Sequence, residues 1–198
     1  MDFIYLASGS PRRRELLQQI GVPFKVIRAD LDETVGRGEA PLAYVSRLAA
    51  AKAETGRQTA EALVLAEAPV LAADTAVVLD GKILGKPKDM DDAMRMLSEL
   101  SGRTHEVLTA VALRASQGCQ VKVSRSSVTF RLIDAREARR YCDTGEPSDK
   151  AGAYAIQGYA AVFVADLKGS YSGVMGLPLF ETAQLLEAAG MHGWRHEH

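Results

Sequence analysis

The sequence predicts an α/β fold built on a mixed β-sheet. Apolar runs of strand length alternate with helical stretches, tight turns join some strands as hairpins, and the alternation is irregular. Hairpins make neighbouring strands antiparallel, whereas helical crossovers make them parallel, so we expect both kinds of pairing in one sheet. With 198 residues, 47% of them apolar, the chain is long enough for one domain with a sizeable core over residues 1–198.

The first predicted unit is a strand, a tight loop and a helix. Residues 3–7 form a short apolar run, and the loop that follows contains Ser8 and Gly9. Ser10 is a good helix N-cap, and Pro11 suits the first helical position because its missing N–H would have no partner there. The helix is therefore expected to begin at Pro11 and to run to residue 20, before Gly21.

The remaining elements follow from hydrophobic periods of two residues for strands and 3.6 for helices. The expected strands cover residues 24–29, 70–79, 82–84, 104–114, 120–132 and 161–166. The expected helices cover residues 41–55, 91–100, 134–142 and 177–189, the first of them ending at Gly56. Asp80 and Gly81 predict a two-residue hairpin turn between two of the strands.

Charge and cysteine content exclude several classes of protein. The 24 Lys and Arg residues nearly cancel the 25 Asp and Glu residues, so no global positive field exists to hold long nucleic acid. Cys119 and Cys142 are too few for a disulfide framework and lack zinc-site spacing. No apolar run is long enough to span a membrane, and the N-terminus lacks the basic start of a signal peptide. We therefore expect a cytoplasmic protein with no membrane partner.

The loop before the first helix has the features of a phosphate site. Three arginines, residues 12–14, lie in the first helical turn, where the positive end of the helix dipole disfavours cations. A bound anion would reverse that effect, and the small residues Ser8, Gly9 and Ser10 allow a phosphate to approach the backbone. The alternative is that the arginines are solvated or paired with acids such as Glu15. Three arginines at one strand-to-helix turn favour the phosphate site.

Two charged residues occupy positions where apolar residues are expected. Val45, Leu48 and Ala49 define one face of the second helix, and the next member of that face is Lys52. Lys52 either extends its ammonium to the helix edge or contacts phosphate, and the sequence leaves both open. Asp74 interrupts an apolar strand, where an uncompensated carboxylate would cost several kcal/mol. A metal ion, a lysine or a proton-transfer role would offset that cost; alternatively, Asp74 accepts backbone hydrogen bonds at a strand end.

Lys86 is placed near Asp74 by the predicted hairpin. If Asp80 and Gly81 form the turn, Lys86 lies opposite Thr75. A regular pleat would put Asp74 and Lys86 on opposite faces of the sheet, so their convergence on one ligand requires a bulge or a strand end. The alternative is that Lys86 is an exposed loop residue.

Five short segments, in chain order, carry a family resemblance over nearly the whole chain. They are LASGSPRR at residues 6–13, ADT at 73–75, GKP at 85–87, DKAGAYAIQG at 149–158 and GLPL at 176–179. Together they resemble the Maf family of nucleotide pyrophosphatases. The resemblance implies an elongated mixed sheet flanked by helices, with two lobes around a central cleft as in Maf- and ITPase-like folds. It also implies a divalent-metal requirement and frequently a homodimer.

The resemblance extends to the choice of base. In this family the residues that match Arg12, Thr75 and Gln157 vary with the nucleotide, and Arg, Thr and Gln mark the dTTP/UTP branch. The branch that acts on 7-methyl-GTP has Trp, Gln and Glu there. A neutral glutamine amide can both donate to and accept from the edge of a pyrimidine, whereas a glutamate suits a cationic methylated guanine.

The expected reaction is metal-dependent hydrolysis of dTTP or UTP between the α and β phosphates. In the family, the acid that matches Asp74 is the proton acceptor. Our hypothesis is that Asp74 and Glu33, with phosphate oxygens, hold Mg²⁺ or Mn²⁺, which offsets the charge that develops on the leaving group. The side chains expected to bind the polyphosphate are Ser8, Ser10, Arg13, Lys52 and Lys86.

Two other functions are compatible with the same residues. One is a pyrophosphatase for other modified nucleotides, such as 7-methyl-GTP. The second is a nucleotide-binding regulator of cell division without turnover, although a pure sensor does not need an acid at Asp74. The C-terminal residues 191–198 contain His192, His196 and His198. Three close histidines could chelate a metal, but we expect a frayed terminus without a catalytic role.

Overall fold

The computed structural model describes residues 3–191, and it confirms an α/β fold with a mixed sheet. The strands are β1 (Ile4–Leu6), β2 (Phe24–Val26), β3 (Val70–Leu79), β4 (Lys82–Leu84), β5 (Thr104–Ala115), β6 (Gly118–Phe130) and β7 (Val164–Lys168). The α-helices are α1 (Pro11–Gln19), α2 (Pro41–Ala62), α3 (Met90–Leu100), α4 (Ala135–Cys142), α5 (Tyr171–Met175) and α6 (Leu179–Ala188). Short 3₁₀ helices cover Glu146–Asp149, Ala151–Ala153 and Tyr159–Phe163.

All seven strands belong to one sheet in the described part of the chain. The strand order is β2-β1-β3-β5-β6-β7, and β4 pairs with β3 off this path. β1 is parallel to both β2 and β3, whereas β3, β5, β6 and β7 form an antiparallel series. The predicted hairpin register is also confirmed, because Leu79 pairs with Lys82.

The edge of β3 that faces away from β5 is only partly covered. At one end β1 pairs with Val70 and Leu71, and at the other β4 pairs with residues 77–79. Neither strand pairs with residues 73–76, so the sheet has a gap there. β1 runs parallel to β3 and β4 runs antiparallel to it, so the chain leaves each strand heading towards this gap. The loops that begin at Ala7 and Gly85 therefore face each other across it.

The two faces of the sheet are covered by different helices. Alternate residues of β3, including Ala72 and Ala76, pack with α2 on one face. On the opposite face Leu71 packs with α1 and α6, whereas Val77 belongs to a separate cluster with α3 and α4. Because side chains alternate along a strand, consecutive residues of β3 face different helical layers.

The predicted end of α2 at Gly56 is wrong, since the helix continues to Ala62. A Cβ at position 56 would lie 2.8 Å from Val70 Cγ1 and 2.9 Å from Ala7 Cβ. Gly56 therefore lets the helix approach β1 and β3 closely instead of terminating it. Tertiary packing here outweighs the low helix propensity of glycine.

Several other boundaries differ from the prediction. The last strand begins at Val164, after a 3₁₀ helix in place of the expected extended residues 161–163. The C-terminal helix begins at Leu179 and not at Leu177, because the backbone before Pro178 is biased away from the helical region. Helix α5 was not predicted. The three tail histidines lie outside the described residues, and no described helix is long and apolar enough to cross a membrane.

Candidate active site

The gap beside β3 opens into a cleft of about 790 Å³. Its walls come from the loops after β1, β2 and β4, from α2, and from the segment around residues 149–157. Val77 and Tyr154 of the cluster beside α3 and α4 line it, as do Ala7 and Ile27 of the cluster beside α2. The structure brings together all ten residues predicted for the site: Ser8, Ser10, Arg12, Arg13, Glu33, Lys52, Asp74, Thr75, Lys86 and Gln157.

The cleft is more cationic than the rest of the protein. The chain as a whole has a formal net charge of -1. Six cationic side chains and four carboxylates line the cleft: Arg12, Arg13, Arg28, Lys52, Lys86 and Lys150, against Asp30, Glu33, Asp74 and Asp149. A concave surface with excess positive charge concentrates anionic ligands.

Asp74 is buried on the face of β3 that packs against α2, with 6% of its surface exposed. Its Oδ1 lies 2.6 Å from Lys52 Nζ. Burial raises the pKa of Asp74, and this effect exceeds the opposing attraction of the Lys52 ammonium. Of the features proposed to offset the burial of this acid, a lysine is present. Lys52 is itself buried, so it does not extend into solvent at the helix edge.

Glu33 reaches the same ammonium from the loop between β2 and α2. Its Oε1 lies 2.6 Å from Lys52 Nζ. Partial burial opposes ionisation of Glu33, but the hydrogen bond and charge of Lys52 keep its pKa below the ordinary value. The Tyr44 hydroxyl donates to the Glu33 backbone carbonyl at 3.0 Å, and Arg47 donates to the Thr34 carbonyl at 3.2 Å. Helix α2 therefore holds both Lys52 and the loop that carries Glu33.

Arg13 makes three hydrogen bonds, all to uncharged acceptors. Its Nε donates to the Gly176 carbonyl at 2.8 Å, Nη1 to Ser8 Oγ at 3.2 Å and Nη2 to Thr75 Oγ1 at 3.5 Å. Burial lowers the pKa of Arg13, and the charge of Asp74 opposes this change. An arginine in a protein remains charged. Among residues 3–191 no carboxylate bonds this guanidinium, so its positive charge is available in the cleft for an anion.

The hydroxyls around Arg13 are arranged by the fold. Ser10 is the N-cap of α1, as predicted, but its side chain makes no capping hydrogen bond. Thr109 Oγ1 lies 3.0 Å from Thr75 Oγ1 and donates to the Gly173 carbonyl at 2.7 Å. Thr75 therefore accepts from Arg13 within a network that links β3, β5 and α5, and this network fixes the direction of the guanidinium.

Lys86 lines the cleft with Asp74 because β4 ends at Leu84. Gly85 and Lys86 leave the ladder, so the alternation of the pleat no longer decides which way Lys86 points. The Gly152 amide donates to the Gly85 carbonyl at 3.0 Å and so anchors the chain just after the strand. The strand end that the sequence required for this convergence is therefore present.

Some residues that line the cleft were not among the predicted site residues. Lys150 and Tyr154 belong to the segment 149–158 that carries the family resemblance, so a signal existed for them. Arg28 and Tyr44 also line the cleft, but their positions have no distinguishing pattern in the sequence. The Tyr154 hydroxyl is 2.8 Å from His105 Nε2, in the core behind the cleft.

The fold and the cleft define an α/β protein with a cationic cleft of about 790 Å³ and a buried acid at its wall. The chain belongs to the family described as Maf-like protein, whose profile matches residues 3–189. A relative from Chromobacterium violaceum is named dTTP/UTP pyrophosphatase and is 54% identical over 187 residues, with 94% of each chain covered.

Further relatives carry the same name. Those from Aromatoleum aromaticum and Nitrosospira multiformis are 54% and 55% identical over 196 residues, covering 94% and 95% of this chain and 95% of each relative. The solved structure of the Staphylococcus aureus Ham1 protein aligns with a TM-score of 0.44 and 19% identity, over 67% of this chain and 72% of that one. A likeness at that level carries no conclusion here.

Proposed function

We propose that this protein hydrolyses dTTP and UTP between the α and β phosphates, releasing the monophosphate and pyrophosphate. Three relatives with this name match at least 94% of the chain at 54–55% identity. The structural observation that carries the proposal is that the buried Asp74 carboxylate and the Arg13 guanidinium line one cleft. A general base and a phosphate-binding cation are thus within reach of one triphosphate.

The polyphosphate is bound by the loop after β1 and by the lysines of the cleft. Arg13 offers a full positive charge, and its hydrogen bonds within the described part of the chain go to neutral acceptors. Ser8 and Ser10 add hydroxyls, and Lys86 approaches from the opposite side of the gap in the sheet. Contacts with the polyphosphate from both sides orient the α-phosphorus towards the wall that contains Asp74.

Asp74 accepts the proton of the attacking water. A base works best when its pKa lies near the working pH, and burial raises the pKa of Asp74 towards that range. The water attacks the α-phosphorus, its proton passes to Asp74, and the bond to the bridging oxygen breaks. Pyrophosphate is the leaving group.

The donor set suits a hard divalent cation, which we propose to be Mg²⁺ or Mn²⁺. Asp74 and Glu33 lie close together, since each has an oxygen 2.6 Å from Lys52 Nζ, and a metal ion would bind beside this ammonium and not in its place. Mg²⁺ in nucleotide-handling sites takes one or two carboxylates together with substrate phosphates. Among residues 3–191, no three His, Cys, Asp or Glu side chains gather as a metal site, so phosphate and water would supply the other ligands. When bound, the ion neutralises phosphate charge.

The nucleobase is read by residues that line the same cleft. Gln157 is exposed there, with a neutral amide free to match a pyrimidine edge, and Arg12 also lines the cleft. Thr75 contributes chiefly by positioning Arg13, because its hydroxyl accepts a hydrogen bond from Arg13 Nη2. We propose that these three residues select dTTP and UTP, and that a homodimer is the form in solution, which gel filtration tests.

A product assay tests the proposed function. The purified protein is incubated with Mg²⁺ and, separately, with dTTP, UTP, CTP, GTP, ATP and 7-methyl-GTP, and the products are separated by anion-exchange chromatography. We expect dTMP or UMP with pyrophosphate from the first two nucleotides, at higher kcat/KM than from the others. A preference for 7-methyl-GTP, or release of the nucleoside diphosphate and orthophosphate, would refute the assignment. Tight binding with no turnover would favour a regulator.

A further inference from the structure

A carboxylate outside the cleft holds the backbone that follows Gln157. Glu146 Oε2 accepts a hydrogen bond from the Tyr159 amide at 2.9 Å. Its Oε1 accepts from the Tyr141 hydroxyl at 2.9 Å and from the Ala160 amide at 3.3 Å. Glu146 is not among the residues that line the cleft. It therefore acts on the cleft through the chain that it holds.

Gly158 lies between Gln157 and the amides that bond Glu146, and a side chain there would displace the Glu146 carboxylate. A Cβ at Gly158 would overlap the Glu146 carboxylate, so a larger residue would push the carboxylate away from the Tyr159 amide. The Gly158 amide donates to the Ala155 carbonyl at 3.0 Å, which closes a turn around Gln157. The backbone is thus tied on both sides of the glutamine.

We propose that Glu146 is a positioning residue for base selection, acting through Gln157. This inference rests on the proposed function, in which Gln157 reads the pyrimidine. The Gln157 side chain is exposed, and its flexible stem must place an amide within the narrow distance and angle of a hydrogen bond. The charge-assisted hydrogen bonds that two successive amides donate to Glu146 fix the backbone next to Gln157.

A purely structural role for Glu146 gives a different expectation. If the carboxylate only stabilised the fold, its removal would lower the melting temperature and weaken the binding of all nucleotides equally. If it acts through Gln157, its removal weakens the preference for uracil. Removing both residues then weakens that preference no more than removing either one, because two residues that act as a unit are not additive.

The test is calorimetric titration of the full chain with α,β-methylene-UTP and α,β-methylene-GTP, which bind without turnover. The measured quantity is the ratio of the two dissociation constants. We expect Glu146→Ala and Gln157→Ala each to lower the wild-type preference for the UTP analogue by about tenfold, the value of one hydrogen bond. The double variant should match the single variants. Glu146→Gln keeps one acceptor and should fall between wild type and Glu146→Ala.

Glu54→Ala is the matched control, because Glu54 bonds Arg57 and Arg114 and does not line the cleft. Its preference should equal that of the wild type. The inference is overturned if Glu146→Ala keeps the wild-type preference, if the double variant loses the product of the two single losses, or if the wild type shows no preference. UTP turnover by the wild type is assayed separately. A wild type that prefers the UTP analogue but does not hydrolyse UTP refutes the proposed function and leaves this inference standing.

Discussion

Asp74 Oδ1 lies 2.6 Å from Lys52 Nζ, and the two side chains are only 9% and 11% exposed. Strand β3 provides the carboxylate, and helix α2 provides the ammonium from the layer that covers the strand. Truncating one member of such a pair leaves an uncompensated charge and a gap in the core. Replacing the carboxylate by an amide of the same shape keeps the packing. Glu33 also contacts Lys52, so the lysine keeps a counter-charge when Asp74 is made neutral.

Asp74→Asn should therefore fold but lose activity. An amide cannot accept the water's proton, so we expect kcat/KM for UTP to fall by about 100- to 10,000-fold, the range for a lost general base. The check is steady-state kinetics beside a thermal melt. Asp80→Asn, at the exposed hairpin turn, is the control and should keep wild-type kinetics. Near-normal turnover by Asp74→Asn would rule out the proposed role.

Arg13→Lys should weaken substrate binding. The lysine keeps the positive charge but loses the planar guanidinium, which donates hydrogen bonds to Gly176, Ser8 and Thr75 at once. Loss of one such bond corresponds to a rise in KM for UTP of about tenfold, with a smaller change in kcat. Arg14→Lys is the matched control, since Arg14 is exposed and does not line the cleft. An unchanged KM in Arg13→Lys would show that the guanidinium does not bind the substrate.

Glu33→Gln should raise the Mg²⁺ concentration needed for half-maximal activity. The substitution removes one of two carboxylates that converge on Lys52, and fewer charged ligands bind a divalent cation less tightly. Activity after EDTA treatment, titrated back with Mg²⁺, gives that concentration for wild type and variant. Glu39→Gln, on the same loop but absent from the cleft lining, is the comparison. Identical titrations of Glu33→Gln and wild type would exclude Glu33 as a ligand.

Gly56→Ala should destabilise the protein even though alanine favours helices. The new methyl would lie 2.8 Å from Val70 Cγ1 and 2.9 Å from Ala7 Cβ. Overpacking of this kind lowers the free energy of unfolding by about 1–3 kcal/mol. Urea denaturation measures it, with Gly36→Ala as the control because its nearest neighbour is the flexible Glu39 side chain. A more stable Gly56→Ala would mean that the close approach of α2 is absent in solution.

Because of His105, the protein should become less stable as the pH falls from 7 to 5. Burial lowers the pKa of His105 from 6.5 to about 4, so between these values the unfolded chain binds a proton that the folded chain does not. From pH 7 to pH 5 the wild type should lose about 2 kcal/mol more unfolding free energy than His105→Gln. Glutamine does not titrate and can still donate to Tyr154. Parallel urea denaturation curves at both pH values provide the measurement, and equal losses would contradict a buried neutral His105.

The sequence was informative wherever a local pattern decides the outcome. Helical spacing placed Lys52 on the core face, and a break in an apolar run singled out Asp74; both are buried. The turn at Asp80 and Gly81 predicted the register of β3 and β4 correctly. It left open where β4 ends, because that end depends on the Gly85–Gly152 contact, 67 residues apart in the chain.

Tertiary packing explains what the sequence did not predict. Gly56 matches a helix stop by the local rules, and only the nearby Val70 and Ala7 explain a glycine inside the helix. Tyr44 and Glu146 do not stand out in the sequence, since one positions a loop 11 residues away and the other a turn 13 residues away. Their roles follow from partners that are brought together only by folding.

The most direct test of the account is hydrolysis of UTP in water enriched in ¹⁸O, with both products analysed by mass spectrometry. Attack on the α-phosphorus by a water oriented at Asp74 predicts one ¹⁸O atom in UMP and none in pyrophosphate. Label in pyrophosphate, or formation of UDP and orthophosphate, would contradict it.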